Sequence, residues 1–283
     1  MELNIKRLTE DEFTNFAKLI YDESGIFLKD TKLTLLSNRL RKRLQAHKLE
    51  EFSDYYKFLH DLEGEKKKKE YEELLDVVST NETYFFRNER HFDAFQKHIL
   101  PDMAKKKKDK KLRIWSAACS TGEEPYTIAI CVLENKDLLA GWDVEIIGTD
   151  IAPSVLEFAK IGEYSGRRIE KVPPALLTKY LTPKKDEPGV YIVNKELKNM
   201  TNFYYLNFFK NDFPKDIDII FCRNVMIYFN KEHQQRLVKG FSQVINPEGY
   251  LFIGHSETLH SISNDFMYNK ILESPVYTPK VRS

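Results

Sequence analysis

The stretch Trp115-Ser-Ala-Ala-Cys-Ser-Thr-Gly-Glu-Glu-Pro125 constrains the fold of this chain more than any other. A short apolar strand, Leu112–Trp115, leads into it, and a helix is expected to leave it. Between them Ser116, Ala117, Ala118, Ser120 and Gly122 supply a turn of small residues. Pro125 suits the first helical turn, where its missing N–H leaves no bond unmade. A strand, a small-residue turn and a helix start together let backbone approach a bound ligand closely.

The turn contains neither G-x-x-x-x-G-K-[ST] nor G-x-G-x-x-G, so it is not a phosphate loop. Glu123 and Glu124 would repel a pyrophosphate. They suit a cationic ligand, such as the sulfonium and amino groups of S-adenosylmethionine. The same residues also fit a capping box, with Thr121 as N-cap and Glu124 three positions on. Spacing alone leaves both roles open.

From Leu112 onward strands and helices alternate, which predicts an α/β domain with a parallel sheet covered on both faces. Residues 144–150 form a second strand ending in an acid, and 151–161 the helix after it. Residues 217–222 read as a buried strand, 231–245 as a helix, 250–254 as a strand, and 275–278 as further β structure. Residues from about 163 to 206 break this rhythm with Pro173-Pro174, Pro183 and Pro188-Gly189. Short β-like pieces at 190–193 and 203–206 predict a small inserted antiparallel β-subdomain there.

Residues 1–78 read as a helical domain. Phe13, Phe16 and Ile20 begin a series of helical stripes. Leu33, Leu36, Leu40 and Leu44 follow, then Phe52, Tyr55, Tyr56 and Leu59, then Tyr71, Leu74, Leu75 and Val78. Residues 79–110 are expected to link this bundle to a catalytic domain at 111–283. The second helix carries Lys32, Arg39, Arg41, Lys42, Arg43 and Lys48 and no acid. Arg39 and Arg43, four apart, share a face and are expected to dock an acidic partner. The runs Lys66–Lys69 and Lys105–Lys108 read as solvated connectors.

A chain of 283 residues with 42% hydrophobic content can bury a sizeable core. Its 44 basic and 43 acidic residues argue against a wholesale nucleic-acid coat. Three cysteines without CxxC spacing predict reduced thiols, and seven histidines without ligand spacing predict no metal. The first residues form no apolar targeting segment, and no apolar run approaches the ~18 residues of a membrane span. A soluble, cytoplasmic protein without membrane insertion is expected.

Three strand ends are polar, and ligands of open α/β sheets bind there. The first is the turn itself. The second is Asp150, placed to accept from ribose hydroxyls or to cap the next helix. The third is Arg223-Asn224, with Tyr228 four residues on; burying them needs partners that a ligand or the fold could supply. The segment Ser79-Thr-Asn-Glu-Thr-Tyr-Phe-Phe-Arg-Asn88 fits neither a clean helix nor a clean strand. Asn81, Thr83 and Arg87 within it can reach an interdomain cleft, or the segment can serve as a plain linker.

These residues carry a family resemblance. Asn-Glu-Thr-Tyr-Phe-Phe-Arg at 81–87, the stretch 115–126, Thr-Asp-Ile at 149–151, Phe-Cys-Arg-Asn-Val-Met-Ile-Tyr-Phe at 221–229 and Gly-His-Ser-Glu at 254–257 occur in order. The chain resembles the bacterial chemotaxis receptor methyltransferases of the CheR family. The resemblance implies transfer of a methyl group from S-adenosylmethionine to glutamate side chains on the cytoplasmic helices of chemoreceptors. The products would be glutamyl methyl esters and S-adenosylhomocysteine. It implies an N-terminal helical domain, a Rossmann-like methyltransferase domain and an inserted β-subdomain.

Carried over by position, Asn81, Thr83, Arg87, Glu124, Asp150, Asn207, Phe208, Arg223 and Asn224 would bind or border the cofactor. Arg87 and Tyr228 would stand at the transfer site. Some family members also grip a receptor C-terminal peptide with the β-subdomain. A monomer is expected. Two readings of other classes are a nucleic-acid methyltransferase using the basic helix for phosphate and a non-catalytic sensing scaffold. The near-neutral total charge and the missing Asn-Pro-Pro-Tyr-type motif weigh against the first, and the full set of site residues against the second.

Overall fold

The computed structural model describes residues 4–280. Four helices open the chain: α1 (Glu10–Ser24), α2 (Leu33–His47), α3 (Phe52–Asp61) and α4 (Gly64–Val78). All four apolar stripes anticipated from spacing turn inward. Phe16, Ile20, Leu40, Leu44, Tyr55, Leu59 and Leu74 are fully buried in one cluster. Thr9 starts α1 with a true capping box, its hydroxyl accepting from Glu12 N while Glu12 reaches back to Thr9 N.

The lysine run 66–69 lies inside α4, not in a connector. Lysine is a good helix former, and the preceding Gly64 only opens the helix. The linker expectation also shortens. After an irregular stretch at 79–88, a helix runs through α5 (Glu89–Ala94), a π-helical turn (Phe95–Ile99) and α6 (Leu100–Lys106). Phe92, Phe95, Ile99 and Leu100 are buried against the sheet, so this helix belongs to the catalytic layer. Lys105 and Lys106 end α6, and only the last two residues of the second lysine run lie beyond it.

The sheet domain follows. Its elements are β1 (Lys111–Ala117), α7 (Glu123–Glu134), β2 (Asp143–Asp150) and α8 (Pro153–Ile161). Then come β3 (Glu163–Ser165), α9 (Pro174–Tyr180), β4 (Leu181–Pro183), β5 (Val190–Val193), α10 (Lys195–Met200) and β6 (Thr201–Tyr205). The last are β7 (Ile217–Cys222), α11 (Lys231–Val244), β8 (Ile245–Ile253), β9 (Phe266–Ile271) and β10 (Ser274–Pro279).

Seven strands form one sheet in the order β6-β2-β1-β7-β8-β10-β9, parallel from β6 to β8, with β10 and β9 antiparallel. Alternate residues feed two cores. Leu112 and Ile114 of β1 join Ile219 and Phe221 of β7 on one face, while Trp115 and Ala117 join Ile220 and Cys222 on the other. The chain winds outward from β1 through β2 and returns to place β7 on its other side. The strand order therefore reverses between β1 and β7, which opens a crevice at their C-terminal ends.

The inserted antiparallel sheet exists, in the order β3-β5-β4. It ends earlier than expected. Residues 203–205 belong to β6, which pairs in parallel with β2 as an edge of the main sheet. The helical domain is fastened across the crevice. Ile26 bridges Phe229, and Phe27 N donates to Tyr228 O at 2.8 Å. Gly25, at φ +73°, permits this approach, because a Cβ there would strike the Phe209 ring.

Candidate active site

The crevice is a cavity of about 430 Å³ between the helical domain and the C-terminal ends of β1, β2 and β7. That volume lies in the range of small-molecule sites. Its inner wall is the turn after β1. Ala118 and Ser120 take left-handed φ of +63° and +49°, and Gly122 +89°. Gly122 meets two constraints, since a Cβ would also lie 2.7 Å from Ala159 of α8. The strand extends through Ala117, so Ser116 belongs to β1 and not to the turn.

No capping box forms here. Gly122 is the N-cap and makes no side-chain cap bond. Thr121 Oγ1 instead donates to Glu123 at 2.7 Å, and Arg168 reaches the same buried carboxylate from the β-subdomain. Glu124 does not cap the helix and lines the cavity. Its carboxylate accepts from Ser116 Oγ and Arg223 Nη1, each at 2.7 Å.

Asp150 ends β2 behind the same turn. It accepts from Ser120 N at 2.8 Å and Ala152 N at 3.0 Å. Burial pushes its carboxyl up to about 6 against those backbone bonds, and the charge of Asp76 adds to the rise. It thus fixes the turn and still lines the cavity. Ser120 Oγ donates to Asn81 O at 2.9 Å, which ties the 79–88 segment to the turn.

Asn81, Thr83 and Arg87 all line the cavity, so that segment is a wall and not a plain linker. Arg87 Nη1 donates to Glu82 O at 2.8 Å, and its carbonyl accepts from Arg223 Nη2. Arg223 is buried, with its guanidinium 5.3 Å from the Phe92 ring. Burial lowers its pKa, and Glu124 opposes that fall. Arg223 Nε and Asn224 Oδ1 are buried without a hydrogen-bond partner among the described residues. Tyr228 also lines the cavity, and its hydroxyl makes no hydrogen bond among the described residues.

Two sequence expectations change. Asn207 is buried beside the cavity but does not line it: its amide donates to Glu23 O and its oxygen accepts from Phe209 N. Its neighbour Phe208 lines the cavity instead, edge-on to Trp115. Arg43 is not free for an acidic partner. Its Nε and Nη2 meet Glu70 at 3.0 and 2.6 Å, and Nη1 meets Glu73 at 3.0 Å. Helix α2 has no acid of its own, but α4 supplies two. Arg39 turns the other way, lines the cavity and donates to Val78 O and to Thr80 Oγ1.

The connector Ile26–Lys29 also lines the cavity, together with Lys32 just before α2, Leu35 of α2 and Ile227. Sequence reading missed these, although an apolar run after Gly25 was a usable signal. Phe27, Leu35 and Ile227 are exposed at the rim.

A parallel sheet with a glycine-bearing turn after β1, an acid ending β2 and a ligand-sized cleft at the switch point is the architecture of an open α/β domain that binds a nucleoside-bearing cofactor. Glu124 and Asp150 both line that cleft, with Arg223 paired to Glu124. The family model described as "CheR methyltransferase, all-alpha domain" matches residues 11–79, and "CheR methyltransferase, SAM binding domain" matches 81–274. The chain belongs to the CheR methyltransferase family and binds S-adenosylmethionine. It is 40% identical to the chemotaxis protein methyltransferase of Borreliella burgdorferi over 268 residues, covering 93% of each chain. The Escherichia coli protein of the same description is 35% identical, covering 92% of this chain and 88% of its own.

Proposed function

We propose that this chemotaxis methyltransferase esterifies glutamate side chains on the cytoplasmic helices of chemoreceptors. The carrying observation is a separation of charge along the cleft. Buried Asp150 and the largely buried Glu124, which is paired to the buried Arg223, line it at the strand ends, while the more exposed Lys29, Lys32, Arg39 and Arg87 also line it, with Glu82 the one further acid among the described lining residues. A cationic cofactor fits the first set and an anionic side chain the second.

When bound, S-adenosylmethionine supplies a sulfonium-activated methyl group, whose transfer to a carboxylate leaves a neutral thioether and a neutral ester. A glutamate is already ionised near neutrality, with a pKa of about 4.3, so no general base is required. Because charge disappears along this reaction, an oxyanion hole would favour the ground state. Arg87 and Tyr228 are therefore assigned to orienting the incoming carboxylate, and Arg39 to docking the receptor segment that carries it. Asn81, Thr83, Glu124, Asp150, Phe208 and Asn224 form the cofactor wall, with Asp150 on the ribose and Arg223 fixing Glu124.

The test is transfer of radiolabelled methyl from S-adenosylmethionine to chemoreceptor-containing membranes. Label on the receptor band, released as methanol by mild alkali, is expected. Absence of label from receptors, with tight S-adenosylmethionine binding intact, would sink the substrate assignment. Loss of label on nuclease treatment would favour nucleic acid.

A further inference from the structure

The motif Gly254-His-Ser-Glu257 follows β8 and has no place in the mechanism above. Its carboxylate nevertheless gathers four backbone donors. Glu257 Oε2 accepts from Asn224 N at 2.9 Å and Gly254 N at 2.5 Å. Oε1 accepts from Val225 N at 3.0 Å and Ile227 N at 3.3 Å. An ionised carboxylate offers about four acceptor sites and no donor, so these bonds fill it. Hydrogen bonds to a charged acceptor are also stronger than neutral ones.

Three of the four donors belong to the loop after β7, which carries Asn224 and Tyr228. That loop leaves the sheet at Cys222 and turns sharply, with Asn224 at φ +60°. Its amides have no strand partner, so Glu257 supplies the acceptors that a ladder would otherwise provide. Gly254 serves the same contact. A Cβ there would lie 2.6 Å from Glu257 Oε2 and 2.8 Å from Asn224 N. Glu257 does not line the cleft; it sits behind the loop.

We infer that Glu257 is a positioning residue, which clamps the loop from Asn224 to Ile227 and thereby sets Tyr228 at the transfer site. The inference rests on the role proposed for Tyr228. Of the proposed cofactor wall only Asn224 rests on this clamp; Asp150 on the Ser120 turn and Arg223 on Glu124 hold other parts of it.

The test is Glu257→Gln in the full-length enzyme, with receptor and S-adenosylmethionine saturating. The amide turns one acceptor into a donor facing N–H groups, so at least one pair of bonds is lost. A misplacement near 1 Å costs about 100-fold, so kcat should fall about 10- to 100-fold. S-adenosylhomocysteine affinity, which the clamp touches only through Asn224, should fall much less than kcat, the signature of a transition-state effect. Adding Tyr228→Phe should then cost little more, because both changes act through one group.

Gly254→Ala leaves the carboxylate in place, pushes on the same loop and should reproduce the pattern. Full kcat in folded Glu257→Gln overturns the inference. So do a parallel fall of Tm, affinity and kcat, full additivity with a damaging Tyr228→Phe, or failure of both variants to fold. If Tyr228→Phe alone leaves kcat intact, the role of Tyr228 is what fails. A selective kcat loss in Glu257→Gln then still supports the clamp.

Discussion

Arg223 and Glu124 form an ion pair of 2.7 Å in the depth of the cleft, with the arginine side chain 2% exposed and the glutamate 13%. The pair joins β7 to the start of α7 across the switch point. Removing one partner of a buried pair leaves an uncompensated charge and costs about 3–5 kcal/mol. Glu124→Ala should lose stability on that scale in urea unfolding and weaken S-adenosylmethionine binding. Adding Arg223→Met should recover most of the stability but not methyl transfer. Recovery of both would remove the pair from the site's chemistry.

Asp150 predicts opposite pH trends for folding and for cofactor binding. Its carboxyl, raised by burial to about 6 from 3.8, holds its proton more tightly in the folded chain. Its contribution to stability is therefore complete below 3.8 and lost as pH rises through 6. A ribose hydroxyl donating to the ionised carboxylate favours the other state. Calorimetric affinity should hold above pH 6 and fall toward pH 5, by up to about tenfold per unit. Asp150→Ala should weaken affinity and flatten that profile; an unchanged affinity would defeat the ribose assignment.

Tyr228→Phe should lower methyl transfer while leaving S-adenosylmethionine affinity nearly intact. The hydroxyl makes no protein hydrogen bond among the described residues, so its removal leaves no orphan inside the fold. Its backbone carbonyl, which accepts from Phe27 N, is untouched. Single-turnover rates and equilibrium binding separate the two effects. Equal loss of both would contradict the division of labour.

Arg39 and Arg43 should behave differently although they share a helix. Arg43→Ala strips the 13%-exposed guanidinium from Glu70, which keeps only Tyr55 and His47, and should cost about 3–5 kcal/mol of stability. Arg39→Glu should raise the receptor KM with little change in cofactor affinity. Added salt should partly mimic it, because exposed charge pairs are screened. A fall in rate at saturating receptor would count against docking at Arg39.

The sequence by itself determined what depends on neighbours within a turn or a strand. The four helical stripes, the strands at 144–150 and 217–222 and the small-residue turn are local patterns, and the tertiary structure keeps them. Local reading failed where a residue has two local roles. Thr121-Gly-Glu-Glu124 satisfies a capping pattern, yet Arg168, distant in sequence, draws Thr121 and Glu123 to itself and leaves Glu124 to the cleft. The lysine run in α4 was misread because charge density says nothing about backbone conformation.

Only the tertiary structure decided which charges are free. Arg43 looked uncompensated because Glu70 lies on another helix, and Asn207 looked available because Glu23 is in another domain. Strand β6 left the inserted subdomain because β2 offered it a ladder. Glu257 was legible as part of a motif and illegible as a clamp, since its four N–H partners come from two separate loops. The physical reason is common to all four. A periodic pattern is fixed by geometry along the chain, whereas a charge or hydrogen-bonding group is defined by partners that folding brings from far away.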